Sequence, residues 1–83
     1  MGRPYNGHES WNAWNVSLWI GNDERLYRLA MHCLEEPIKG KAPSLDCAVC
    51  RFFRNGPAEG SRTPDGARYS RHSVKLALAG LRE

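Results

Sequence analysis

The sequence predicts an all-α fold, a small bundle of about four short helices around a Trp-rich first helix. Three observations predict it. Apolar residues recur at helical spacing in four separate stretches. Each stretch opens beside a residue that caps helix N-termini, namely Ser10, Asp23, Ser44 and Ser70. No stretch convincingly alternates apolar and polar residues as a half-buried strand would. With 83 residues the chain is the size of one domain, near the limit at which a single core is stabilising. A single domain is therefore expected over 1–83, with an irregular arm at 1–9 and a loop at 55–69.

Pro4, Asn6 and Gly7 favour turns, and no periodic apolar pattern runs through residues 1–9. The first helix is expected to be capped by Ser10 and to run to about Ile20. Trp11, Trp14 and Leu18 share one face by i, i+3, i+7 spacing, and Val16, Trp19 and Ile20 populate another. A helix apolar on two faces is expected to be largely buried. Each buried indole removes on the order of 200 Å² from water, which would put this segment at the centre of the core. A chain this short does not easily bury three indoles completely, so one edge is expected to stay exposed for a partner. Asn12 and Asn15 are poor helix formers, and their amides are expected to bond backbone in the arm or in the 37–43 loop.

Gly21-Asn22 reads as a stop, with the glycine left-handed, and Asp23 as the next cap. Leu26, Leu29, Ala30, Cys33 and Leu34 then form the stripe of an amphipathic helix that ends before Pro37. After a linker at 37–43, Leu45, Ala48, Val49, Phe52 and Phe53 repeat at helical spacing from Ser44 until Asn55-Gly56-Pro57. Residues 55–69 are by composition the least ordered part. Within them Thr63-Pro64-Asp65-Gly66 is a strong turn signal, with proline suited to the second turn position and glycine to the fourth. Ser70 caps a last helix in which Val74, Ala77, Leu78 and Leu81 share a face. The alternative for 37–43 or 57–69 is a short strand pair.

Hydrophobic residues make up 41% and charged residues 25% of the chain, which excludes wholesale disorder. The first residues hold no apolar run of the kind a signal peptide needs, and no stretch approaches a membrane span, so a cytoplasmic protein without membrane contacts is expected. Three cysteines without an export signal argue for reduced thiols over disulfides.

Catalytic chemistry finds little support. No cysteine-hydrolase signature surrounds a cysteine, and His8, His32 and His72 lie in no such pattern. Asp23-Glu24 opens a helix, where acids oppose the dipole, and Glu35-Glu36 closes one. Gly56, Gly60 and Gly66 lack the Lys-Ser/Thr of a phosphate loop. A zinc reading groups His32 and Cys33 with the Cys47-Ala48-Val49-Cys50 pair as four soft ligands. Against it, the pair sits inside a helix where zinc knuckles use a tight turn, and cysteine packs well as a small hydrophobe. No enzyme activity, metal or cofactor is therefore expected. Cys47 and Cys50, three apart on one helix face, are placed to line one pocket or to oxidise.

Charge is the better functional signal. Up to residue 50 five basic residues face six acidic ones. From residue 51 seven basic residues face Glu59, Asp65 and Glu83, an excess of four. Arg51, Arg54, Arg62, Arg68, Tyr69, Arg71 and Lys75 are the candidate partner-binding residues, the arginines as forks for acidic groups and Tyr69 as a stacking ring. A protein partner and a nucleic acid both fit this set, and a plain solvated face is the third reading.

Two blocks carry a resemblance. Residues 5–24, and within them Trp14 to Ile20 with Asn22-Asp23-Glu24 and Leu26-Tyr27 beyond, resemble the opening block of a family of small uncharacterised proteins encoded by tailed bacteriophages. Arg62-Thr63-Pro64-Asp65-Gly66-Ala67-Arg68-Tyr69 is similar to the family's C-terminal block, while Glu35 to Gly60 departs from it. The resemblance covers about half of the chain. It implies an accessory protein made in the infected cell, outside the virion, and carries no enzyme activity. Together with the charge it leads to the expectation of a small protein that binds and modulates or inhibits a host protein, anti-CRISPR and other antidefence inhibitors being one subclass. A nucleic-acid-binding accessory or regulatory protein using the same arginines is the alternative.

Overall fold

The structure, a computed structural model, describes residues 10–82. The expected arm at 1–9 lies outside the described residues. Four helices follow in chain order: α1 (Trp11–Asn22), α2 (Glu24–Glu35), α3 (Leu45–Asn55) and α4 (Arg71–Arg82). Each packs on its neighbours in sequence, and α1 closes the ring against α4. The small all-α bundle read from the sequence is thus the fold. No helix among the described residues is long and apolar enough to cross a membrane.

Local chemistry sets the helix starts. The Ser10 hydroxyl accepts from the Ala13 N–H at 3.1 Å and that of Ser44 from the Cys47 N–H at 3.2 Å. Ser70 and Ser73 cap α4 reciprocally, each hydroxyl accepting the other's backbone N–H at 3.1 and 3.0 Å. Asp23 serves two helices. Its N–H donates to the Trp19 carbonyl at the end of α1, and its carboxylate accepts the Leu26 N–H at the start of α2. The expected left-handed glycine stop is therefore replaced: Gly21 stays inside α1, and the chain leaves the helix at Asp23 in an extended conformation.

The core joins Val16 and Ile20 of α1, Ala30, Cys33 and Leu34 of α2, Ala48, Val49 and Phe52 of α3, and Val74, Ala77 and Leu78 of α4. The tryptophans do not fill it. Trp11 is 40% exposed and Leu18 37%, while Trp14 and Trp19 are half-buried. A helix in a closed ring turns one face inward, and α1 turns inward Ala13, Val16 and Ile20, which let α2 and α4 approach closely. The indoles flank that face.

Neither connection holds a regular strand, yet both pair with themselves. In 37–43, Ile38 and Lys41 exchange backbone hydrogen bonds of 2.8 and 3.0 Å around Lys39 and Gly40, both at positive φ, a two-residue turn of the mirrored kind. In 55–69 the turn at Thr63-Pro64-Asp65-Gly66 is closed by a Gly66 N–H to Thr63 carbonyl bond of 2.8 Å, with Gly66 at φ 95°. Thr63 N–H to Ala67 carbonyl and Tyr69 N–H to Ser61 carbonyl bonds then zip the flanks. This is a hairpin with a glycine bulge after its turn. Composition marked the segment as the least ordered. Its backbone is instead tied down, and it sends Ala67 and Tyr69 into the core.

Candidate functional site

Three side chains spaced i, i+3, i+7 along α1 hold the 60–69 hairpin. Asn12 pairs with the backbone of Arg68 at both ends of its amide: its Nδ2 donates to the Arg68 carbonyl at 2.9 Å, and its Oδ1 accepts the Arg68 N–H at 2.7 Å. Asn15, buried, accepts the Thr63 hydroxyl at 2.7 Å and donates to Asp65 Oδ2 at 2.9 Å. Trp19 donates its indole N–H to the same oxygen at 2.9 Å. Thr63 completes the set by accepting the Ala67 N–H at 3.0 Å. These two hydrogen bonds hold the Asp65 carboxyl below its ordinary range, Asn15 contributing first and Trp19 second. The asparagines therefore bond the 60–69 hairpin, and the expected partner in the 37–43 loop is corrected. At 37–43 Ile38 and Lys41 satisfy each other's backbone groups, whereas the Arg68 N–H, on the outer edge of the hairpin, has Asn12 as its acceptor.

The hairpin so fixed displays cations. Arg62 and Arg68 are directly opposite across it, between the backbone bonds at 61–69 and 63–67, so both side chains leave the same face. Arg62 turns one Nη1 back to the Gly66 carbonyl at 2.9 Å. Two residues beyond the hairpin Arg71 begins α4, its Nε 3.5 Å from a Glu59 carboxylate and its Nη1 3.5 Å from Cys50 Sγ. Interaction with Cys50, and then the charge of Glu59, raises the Arg71 pKa above its usual value. Lys75, one turn on, pairs with Asp46 at 3.0 Å.

Cys50 leads to a groove of about 470 Å³ lined by Ile38, Asp46, Cys47, Cys50, Arg51 and Arg54. Arg51 is anchored by donating to the Glu36 carbonyl at 2.6 Å, which caps the end of α2. Ile38 is 38% exposed at the groove's edge.

Six of the seven sequence-predicted residues thus lie on two joined regions: Arg62, Arg68 and Arg71 around the hairpin and the start of α4, and Arg51, Arg54 and Lys75 on α3 and α4. Tyr69 is corrected. It is 4% exposed, packs on Phe52 with ring centroids 6.3 Å apart, and burial raises its pKa, so no base stacks on it. In a hairpin side chains alternate between faces, and Tyr69 takes the inward position beside outward Arg68. The four zinc candidates are not brought together: Cys33 is fully buried in the core, Cys47, Cys50 and His32 are exposed, and no group of three metal-ligating side chains forms among the described residues.

Residues that charge alone did not single out are the ones that position the site, Asn12, Asn15, Trp19, Thr63 and Asp65. The signal that finds them is a helical stripe of polar amides on an otherwise apolar helix, opposite a turn motif whose aspartate needs donors. The two blocks of the resemblance are the two sides of this one contact. No curated protein and no solved structure matches the chain. A family model described as a family of unknown function (DUF7249) matches residues 1–79, and the chain belongs to that family.

Proposed function

We propose that this is a phage-type accessory protein of the host cytoplasm that binds an acidic surface of a host protein and modulates or inhibits it without catalysis. The observation that carries the reading is the placement of cations against the electrostatics of their own fold. Arg62 and Arg68 face each other across the hairpin, where like charges destabilise the pairing. Arg71 occupies the first turn of α4 together with His72, with no acid there, where the helix dipole disfavours positive charge. Folding gains little from these charges, whose contacts within the chain are an exposed ion pair to Glu59 and bonds to Cys50 and the Gly66 carbonyl, and this supports a role in binding something outside the chain.

A protein fits better than a nucleic acid. Asp46 and Glu59 lie among the cations, paired with Lys75 and Arg71, and break the basic surface into patches, which separate carboxylates of a protein can match and the evenly spaced charges of a phosphate backbone cannot. Tyr69 offers no stacking face. The groove mixes Ile38 and two thiols with Arg51 and Arg54, the combination suited to an apolar anchor flanked by carboxylates. The hairpin's tie to α1 keeps the surface rigid, which lowers the entropy lost on binding. Antidefence inhibition, anti-CRISPR activity included, is one task such a surface serves.

The test is capture of tagged protein's partners from bacterial lysate, with and without nuclease, beside a variant carrying Arg68→Glu and Arg71→Glu. A stoichiometric protein that survives nuclease and is absent from the variant supports the proposal and names the target. Partners lost to nuclease, or binding that falls steeply with salt through counterion release, would replace it with phosphate recognition.

A further inference from the structure

Two of the three thiols are on the surface, in the groove that the docking reading takes for an apolar anchor and whose sulfur chemistry it does not use. Cys47 and Cys50 are both exposed and both line the groove beside Arg51 and Arg54. Arg71 reaches across from α4 to place Nη1 3.5 Å from Cys50 Sγ. Cys47 lies in the first turn of α3, with its N–H held by Ser44. Cys33 differs in each respect: it is fully buried, and burial pushes its thiol up, away from the reactive thiolate.

We infer that Cys47 and Cys50 form a thiol–disulfide exchange site for small disulfides that carry carboxylates, with Cys50 the attacking sulfur and Cys47 the resolving one. Arg71 holds its guanidinium at the Cys50 sulfur, and Arg51 and Arg54 receive the carboxylates of the incoming molecule. The groove's own acid, Asp46, is paired with Lys75, and Glu59 with the Nε of Arg71. The Cys50 thiolate attacks one sulfur of R–S–S–R, forming Cys50–S–S–R and releasing R–S⁻. The Cys47 thiolate then attacks the Cys50 sulfur, closing Cys47–Cys50 and releasing a second R–S⁻. The protein dithiol loses two protons and two electrons, and the small disulfide takes them up as two thiols.

Helix geometry makes closure possible and reversible. Residues three apart on an α-helix have Cα atoms about 5 Å apart, within the ~4.4–6.8 Å that a disulfide spans. Their Cβ atoms are about 5–6 Å apart, wider than the ~3.8 Å a relaxed bridge prefers. Closure therefore displaces the first turn of α3, and the strained bond is readily reduced. The reaction needs no partner protein, so it stands apart from the docking proposal.

The experiment exposes the reduced full-length protein to oxidised glutathione at neutral pH, quenches by alkylation and reads peptide masses over time. A glutathione adduct on Cys50 that converts to a Cys47–Cys50 bridge is expected, and Cys47→Ser should arrest at the adduct while retaining its helical circular dichroism. The cationic disulfide cystamine should react about fivefold more slowly, the factor a close charge contact in water supplies. Arg71→Gln should lose a similar factor with glutathione, and Cys33 should stay unmodified. A first adduct on Cys47, equal rates for the two disulfides, or a Cys47→Ser protein that remains folded yet forms no adduct would each overturn the inference.

Discussion

The indole N–H of Trp19 donates to Asp65 Oδ2 at 2.9 Å, joining the first helix to a turn 46 residues later in the chain. Asn15 donates to the same oxygen. The two donors depress the Asp65 pKa, so the sign of its effect on stability follows. A carboxyl with a lowered folded pKa contributes stability that is complete above its unfolded value, ordinarily 3.8, and that disappears as pH falls through the folded value. Asp65→Ala should lower the melting temperature at pH 7 and shift tryptophan emission, because Trp19 loses its acceptor. The gap between wild type and variant should narrow steadily below about pH 4. A gap that stays constant down to pH 2 would show that the ionised carboxylate adds nothing to the contact.

Asn15 links Thr63 and Asp65 from a buried position. Asn15→Ala leaves the Thr63 hydroxyl without its acceptor in a buried site, at a cost of roughly 1–3 kcal/mol. Thr63→Val removes the hydroxyl and keeps the shape. It also orphans the Asn15 oxygen and the Ala67 N–H, whose acceptor is the Thr63 hydroxyl. Urea unfolding of both single variants and the double variant should give a double-variant loss smaller than the sum, since one hydrogen bond is counted in each. Strict additivity would mean that the two residues act independently.

The sequence reached the helices because what starts and stops them is local. Ser10, Asp23, Ser44 and Ser70 cap from within three residues of the N–H groups they satisfy, and Pro37 and Gly56-Pro57 lie just past the ends they mark. The hairpin's role was hidden for the opposite reason. Asn12 meets Arg68 and Asn15 meets Asp65 across more than forty residues, and composition reports only that such a segment is rich in turn formers. Tyr69 was misplaced because it sits among arginines. The alternation that buries it, with Thr63, Ala67 and Tyr69 inward and Arg62 and Arg68 outward, spans too few residues to stand out before the turn is recognised as a hairpin. The tryptophans misled through size: bulk argued for burial, while close helix packing selected Ala13 and Val16 for the inner face.

Gly56 ends α3 against α2. A Cβ there would stand 2.3 Å from Leu29 Cδ2 and 3.1 Å from the Phe52 carbonyl oxygen. The leucine tip can rotate away, whereas the backbone oxygen cannot, so Gly56→Ala should cost about 1–2 kcal/mol through overpacking. Adding Leu29→Ala should relieve part of that cost, making the pair less damaging than the sum of the two changes in urea midpoints. If Gly56→Ala leaves stability unchanged, the approach of α2 to the end of α3 is looser than these distances.

Charge reversal on the basic surface separates folding from binding because the fold's own electrostatics favour the reversed charge at 68 and are nearly balanced at 71. Glutamate at 68 would face Arg62 across the hairpin and turn a like-charge pair into an attractive one. The backbone bonds of residue 68 to Asn12 do not depend on its side chain. Glutamate at 71 would enter the first turn of α4, where a negative charge complements the dipole. It would also trade the exposed ion pair with Glu59 for a like-charge contact, an exposed change of small size that the dipole gain offsets. The Arg68→Glu, Arg71→Glu variant should therefore melt close to the wild-type temperature, and Arg68→Glu alone at or above it, most clearly at low salt where these charges are least screened. It should also fail to bind an acidic partner. Reversing Arg25 and Arg28, exposed on α2 and outside the proposed set, should leave binding intact. A Tm well below wild type for the double variant would mean that Arg68 and Arg71 serve the fold, and the argument that their charge is directed outward would fail with it.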